Sequence, residues 1–200
     1  MARKIITVGR QFGSNGRAVA KLLAEELQLN FYDRELIEMA SKKAGMDPEQ
    51  LAQADEKGAN PWLFAGNHVQ SYPNQMLPIN DLLFNVQSQI IRELADRESC
   101  VIVGRAADYV LKDKKGMLNI FIYAPMEARV ATIEDRYQID EKEARARIRK
   151  EDKNRKYYYN YYTDSGWGEM ENYFLTIDSS RYGIEGTAKV LAAMVRAVEV

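Results

Sequence analysis

One cysteine and one histidine in 200 residues exclude a good deal of chemistry. Cys100 has no second thiol for an intrachain disulfide, which suits a reducing compartment. Cys100 and His68 together fall short of the ligands that a structural zinc needs. No charge of one sign prevails: 28 basic residues stand against 29 acidic ones, for a net charge of −1. The chain as a whole therefore has no pull toward nucleic acid or an anionic membrane, and any anion site must be built locally. No apolar run approaches the roughly 18 residues of a membrane span. The first residues, MARKIITV, are too few for the apolar stretch of a secretion signal. Repeats and low-complexity tracts are also missing. The expectation is a cytoplasmic protein with neither a membrane nor a nucleic-acid partner, folded as one domain over 1–200 with a mobile subregion.

What is present begins at Lys4 with KIITVGRQFGSNGRAVAKLL. A β-branched run, Ile5-Ile6-Thr7-Val8, leads into a loop holding Gly9, Gly13 and Gly16, and an amphipathic pattern follows at once. Strand, glycine-rich turn and helix N-terminus form an arrangement that holds phosphates. The glycines let backbone N–H groups approach phosphate oxygens, and the first helical turn offers unpaired donors at the positive end of its dipole. Further buried-strand runs are Asn30–Tyr32, Cys100–Val103, Leu118–Tyr123 and Tyr173–Ile177, the first strand being Lys4–Val8. Helical patterns lie over Arg17–Glu26, Asp33–Ala44, about Asp47–Asp55, Asp81–Ala95, Arg105–Leu111, Pro125–Tyr137 and Ile184–Val198. Asp33 is placed to cap the second helix and Gly45 to end it. Strands alternating with helices predict an α/β fold in three layers around a five-stranded parallel sheet. Two segments break the rhythm. Residues 56–80, with Trp62, Phe64 and Tyr72 among prolines and glycines, read as a cover over a ligand. Residues 139–171, a charged helical run followed by the tyrosines 157–159, 161 and 162, read as a lid with packing at its base.

Four groups could carry chemistry. Gly13, Ser14, Asn15, Gly16, Arg17 and Ala18 form the phosphate cradle, with Arg17 where such loops carry lysine; a guanidinium grips in a planar, bidentate way and never deprotonates. Ala18 lacks the hydroxyl that would bind Mg²⁺ directly, so Mg²⁺ is expected to be held through waters and other side chains, with no residue assigned as its ligand. Arg105, leaving the Cys100–Val103 strand after Gly104, places a cation over the ligand edge of the sheet. Asp33 ends the second strand, where it could orient a substrate hydroxyl or metal-bound water. Arg145, Arg147, Arg149 and Arg155 stand around Glu151 and Asp152. That run reads equally as a solvated helix face, with Arg145 four residues from Glu141, or as lid arginines over a triphosphate.

These residues add up to a resemblance. ITVGRQFGSNGR, FYDRELI, VIVGRAADYVL and EDKNRKYYY resemble the cytidylate kinase-like group of the P-loop nucleoside monophosphate kinases, over nearly the whole chain. Gly13, Gly16 and Arg17 answer to the loop, Asp33 to the aspartate after the second strand, Gly104-Arg105 to the Gly-Arg pair, and Asp152 with Arg155 to the final Asp-x-x-Arg. Arg34 stands where the family has serine, Ala106 where it has aspartate, and Glu151 where it has the first lid arginine. The resemblance implies an ATP-dependent phosphotransferase with a P-loop fold, using Mg²⁺ and acting on a nucleoside monophosphate or another small acceptor. It implies that Arg17 and the loop hold the β and γ phosphates. Arg155 with Arg149 would cover the transferring group, with Asp152 beside them; Arg105 and Arg34 would hold the acceptor, and Asp33 would orient it. The rival expectation is a nucleotide-binding module without turnover, which the Arg17-Ala18 pair favours. A third, a nucleic-acid surface on the Arg/Tyr segment, would show steep salt dependence.

Overall fold

Residues 4–45, 47 and 79–198 are described by the computed structural model. Five strands form one parallel sheet: β1 (Ile5–Arg10), β2 (Asn30–Tyr32), β3 (Cys100–Val103), β4 (Met117–Tyr123) and β5 (Leu175–Asp178), in the order β2-β3-β1-β4-β5. Ile5 is in register with Cys100 on one side and Met117 on the other. The β-branched run of β1 thus occupies the centre of the sheet, where helices cover both faces and near-continuous apolar sequence is required.

The pleat divides that run in two. Ile6 and Val8 face one layer with Val101, Val103, Ile120 and Ile122, against α1 (Gly16–Leu27) and α7 (Gly183–Ala197) through Val19, Leu23, Leu191 and Val195. Ile5 faces the other with Cys100 and Ile102, against α2 (Glu35–Ala44) and α3 (Ile79–Arg97) through Leu36, Leu83, Ile91 and Leu94. Burial in the second layer pushes the Cys100 thiol up to about 11, so it stays a neutral core side chain. A smaller apolar group, Val130, Ile133, Ala144 and Ile148, joins α5 (Met126–Tyr137) to α6 (Glu141–Tyr162). Among the described residues no helix is long and apolar enough to cross a membrane.

Several expectations shift in detail. The charged run and the tyrosines belong to one continuous 22-residue helix, α6, capped by the Asp140 carboxylate, which accepts from Glu143 N at 2.8 Å. The expected helix over Arg105–Leu111 shrinks to α4 (Ala107–Val110), because Gly104, Arg105 and Ala106 all adopt left-handed backbone, with φ of 74°, 59° and 49°. Asp33 does not cap α2 with its side chain; Arg34 holds the cap position, and the Asp33 carboxylate is taken by two arginines. Gly45 ends α2 in the left-handed conformation, as expected. Before β5 the chain makes a short 3-10 turn at Met170–Asn172, which delays that strand. The helix expected from Asp47 and the cover expected over 56–80, with His68, Trp62, Phe64 and Tyr72, lie outside the described residues except for Asp47, Ile79 and Asn80.

The tyrosines of α6 divide by face. Tyr162 stacks on Phe84 of α3 with ring centroids 4.0 Å apart and donates to Asp81 at 2.8 Å. Tyr159 donates to Asp108 of α4 at 2.7 Å, while Tyr157 and Tyr161 stack on each other at the exposed face. Packing on the sheet layer thus accounts for one face of the cluster. It also sets α6 beside the carboxyl ends of the strands.

Candidate active site

The strand ends open onto a cavity of about 750 Å³. It lies where β3 and β4 flank β1 and the winding of the chain changes direction, the usual ligand crevice of an open parallel sheet. Its floor is the loop between β1 and α1. Gly13 (φ 83°) and Asn15 (φ 56°) turn the chain so that α1 starts at Gly16, and Gly16, Arg17 and Ala18 line the cavity. Gly13 has little room to change: a Cβ there would lie 3.0 Å from both Cβ and the carbonyl oxygen of Arg129.

Buried hydroxyls hold this loop to the sheet. Ser14 Oγ donates toward Gln11 O and Ile122 O, at 2.9 and 3.1 Å, and Ser179 Oγ donates to Ser14 O at 2.6 Å. Ser14 therefore faces inward, away from the cavity, while Gly13, Asn15, Gly16, Arg17 and Ala18 line it. Asp152 acts from α6 in the same sense. Its carboxylate accepts from Phe12 N at 2.8 Å and pairs with the Arg129 guanidinium, whose side chain is 7% exposed. Asp152 is a strut under the loop and is not part of the cavity wall.

Arg17 and Arg10 converge on Asp33. Arg17 Nε binds Oδ2, and Arg10 Nη2 lies 3.9 Å from Oδ1; the carboxylate is 5% exposed. Arg155 reaches the same corner from α6, donating to Arg10 O at 2.9 Å with its guanidinium carbon 5.4 Å from the Phe12 ring centre. Burial pushes the Arg155 guanidinium below its usual range, opposed by Asp152, Glu151 and Asp33. Arg34 and Arg105 also line the cavity, whereas Arg149 is exposed on α6 away from it. Counted together, Arg10, Arg17, Lys21, Arg34, Arg105, Arg136 and Arg155 face Asp33, Asp108 and Glu151 across one cavity. In a chain of net charge −1 that is a local concentration of cations, which the overall composition does not supply.

The opposite wall is aromatic: Tyr158, Tyr159, Trp167 and Tyr173 stand with Asp108. Burial raises the Asp108 carboxyl above the usual carboxylate range, against the bond from Tyr159. Burial likewise lifts the Tyr159 phenol and takes Tyr173 up to about 12. All three groups thus hold their protons more tightly than in water.

Sequence reasoning missed Arg10, Asp108, Arg129 and Arg136. Arg10 ends the β1 run, and its importance comes from contacts distant in sequence. Arg129 and Arg136 give no signal, because they lie at unremarkable positions on α5, and Arg136 reaches the loop only through Asn15 Oδ1 at 2.6 Å.

A parallel five-stranded sheet, a glycine-rich strand-to-helix loop and an arginine-bearing helix beside it define the P-loop kinase fold. A shikimate kinase from Bacteroides thetaiotaomicron shares it, with a TM-score of 0.56 at 14% identity over 98% of this chain and 99% of its own. The chain belongs to the cytidylate kinase-like family, whose model matches residues 5–181. It is 26% identical to the cytidylate kinase of Methanopyrus kandleri, over 96% of this chain and 92% of that one. It is also 26% identical to the cytidylate kinase of Methanocaldococcus jannaschii, over 96% and 97%. An uncharacterised protein from Eubacterium ventriosum is similar in structure, with a TM-score of 0.75 at 27% identity over 98% of this chain and all of the other.

Proposed function

We propose that this protein transfers the γ-phosphoryl group of ATP to a nucleoside monophosphate, cytidylate being the first acceptor to consider. The observation that carries this reading is the crowd of arginines around a glycine-rich helix start at the ligand edge of the sheet. The family membership and the names of the two archaeal relatives support it.

In this reading the loop from Gly13 to Ala18 cradles the donor phosphates, with Arg17 as its charge. Arg34 and Arg105 receive the acceptor phosphate on the other side. An acceptor phosphate oxygen bonds to Pγ as the bond from Pγ to the β–γ bridging oxygen breaks, and the electron pair leaves with ADP. Such transfer needs positioning and charge neutralisation more than covalent help, which is what arginines on three elements supply. Arg155 covers the transferring group, and Asp33 fixes the guanidiniums. Asp152 contributes by holding the loop and Arg149 contributes nothing direct. The 139–171 segment serves as the lid of a single domain. Ala18 lines the cavity without a hydroxyl to offer a metal, so Mg²⁺ would be held through water in this reading. The ion would neutralise donor phosphate charge while held chiefly by phosphate oxygens and water.

A coupled assay with Mg-ATP against CMP, dCMP, UMP, AMP and GMP tests the reading. ADP formed only with an acceptor, and fastest with one of the five, is the expected result. One observation favours the rival, a binding module without turnover: Arg17 is engaged by Asp33, and Ala18 brings no hydroxyl. Binding of ATP without transfer to any acceptor would establish that rival.

A further inference from the structure

Arg10 is absent from the loop pattern that identifies a phosphate cradle, yet the structure makes room for it at several points. A Cβ at Gly16, the first residue of α1, would come within 2.6 Å of Arg10 Cβ. A Cβ at Gly104, where β3 ends, would collide with Arg10 Nη1. The side chain therefore runs from the start of α1 across to the end of β3, through space left by the two glycines. Its guanidinium lies beside Asp33 Oδ1 while Arg17 holds Oδ2, and its own carbonyl accepts from Arg155. Its side chain is 20% exposed and lines the cavity, against 54% for Arg17. Of the two, Arg10 is the more buried.

We infer that Arg10 is the second half of a two-guanidinium clamp, mounted on the Asp33 carboxylate, that grips the γ-phosphoryl group and supplies the charge of the missing lysine. The inference rests on the phosphotransferase reading for its catalytic consequence but not for its binding consequence. Both arginines line the cavity beside this one carboxylate, and a guanidinium presents paired donors that match the oxygens of a phosphoryl group. One carboxylate between two arginines leaves a net positive charge there, so the mount does not cancel the site. The position also suits the chemistry: Arg10 spans between the helix start that holds the donor and the Gly104-Arg105 turn assigned to the acceptor.

The test compares ATP with ADP, which differ in the group the clamp is assigned to grip. Arg10→Gln and Arg10→Lys are titrated calorimetrically with Mg-ATP and Mg-ADP, and kcat and KM are measured with the best acceptor. Loss of a charge-assisted contact to phosphate is expected to weaken ATP binding by about 10- to 100-fold in Arg10→Gln, with ADP binding within about threefold of the parent. Arg10→Lys keeps the stem packed against Gly16 and should recover part of the ATP affinity, with kcat reduced more than KM is raised. Equal losses for ATP and ADP, or none for either, would overturn the inference, because a purely structural arginine cannot distinguish the two. If the parent binds ATP but transfers to no acceptor, the phosphotransferase reading fails by itself, and the ATP–ADP comparison still decides Arg10.

Discussion

Asp152→Ala separates support of the loop from chemistry. The substitution removes the acceptor of the Phe12 N–H and strips the Arg129 guanidinium of its carboxylate. Arg129 is 6% exposed and packs against Gly13, so its charge would be left buried beside the loop. Breaking a buried pair from one side costs about 3–5 kcal/mol. Asp152 is 18% exposed, and water can enter where its carboxylate was, so the lower end, about 3 kcal/mol, is expected. For a chain of this size that lowers Tm by about 6–12 °C. Asp152→Asn keeps an oxygen for Phe12 N and loses only the charge, so it should cost about half as much. The assay is thermal unfolding followed by circular dichroism, with and without saturating ATP. Because the damage is to the loop, added ATP should stabilise Asp152→Ala less than it stabilises the parent. A melting temperature within about 2 °C of the parent would refute the strut. Full stability with lost turnover would return Asp152 to the chemistry.

Other perturbations address other parts of the site. Arg17→Ala should weaken ATP binding at least about tenfold by calorimetry, whereas Arg17→Lys should retain turnover; equal loss in both would show a site built around guanidinium geometry. Gly13→Ala places a Cβ at positive φ and 3.0 Å from Arg129, so it should destabilise by about 2–4 kcal/mol in chemical denaturation, and an unchanged midpoint would contradict the loop geometry. Asp108→Asn tests the buried carboxyl: with its pKa raised, the folded state keeps a proton that the unfolded chain has released, so wild-type stability falls as pH rises through that interval. The melting temperature of Asp108→Asn relative to the parent should therefore be more favourable at about pH 7.5 than at about pH 4, and a constant difference would deny the shift.

Much of the frame was legible because it rests on local pattern. The run Ile5-Ile6-Thr7-Val8, buried on both faces, can only be a central strand, and the three loop glycines mark the turn whatever surrounds it. Element ends were less legible. Three successive left-handed residues, including Arg105 and Ala106, shorten α4, and nothing about those two side chains announces the conformation. The site itself was half legible. Asp33 and Arg17 were legible as single residues, but their pairing across 16 residues was not, and it diverts Asp33 from capping α2. Arg10 and Asp108 escaped because their importance comes from neighbours distant in sequence: Gly104 and Asp33 for the one, Tyr159 for the other. Asp152 was found by motif, yet its carboxylate points to the loop backbone, a direction that spacing along a helix does not reveal.

The most direct measurement of the central claim is ³¹P NMR of the protein with Mg-ATP and CMP. Equal growth of ADP and CDP signals, with no signal from inorganic phosphate, is the predicted result. ATP that stays intact, or that yields only ADP and inorganic phosphate, would contradict phosphoryl transfer to CMP; if dCMP, UMP, AMP and GMP also failed, the contradiction would extend to nucleoside monophosphates as the acceptor class.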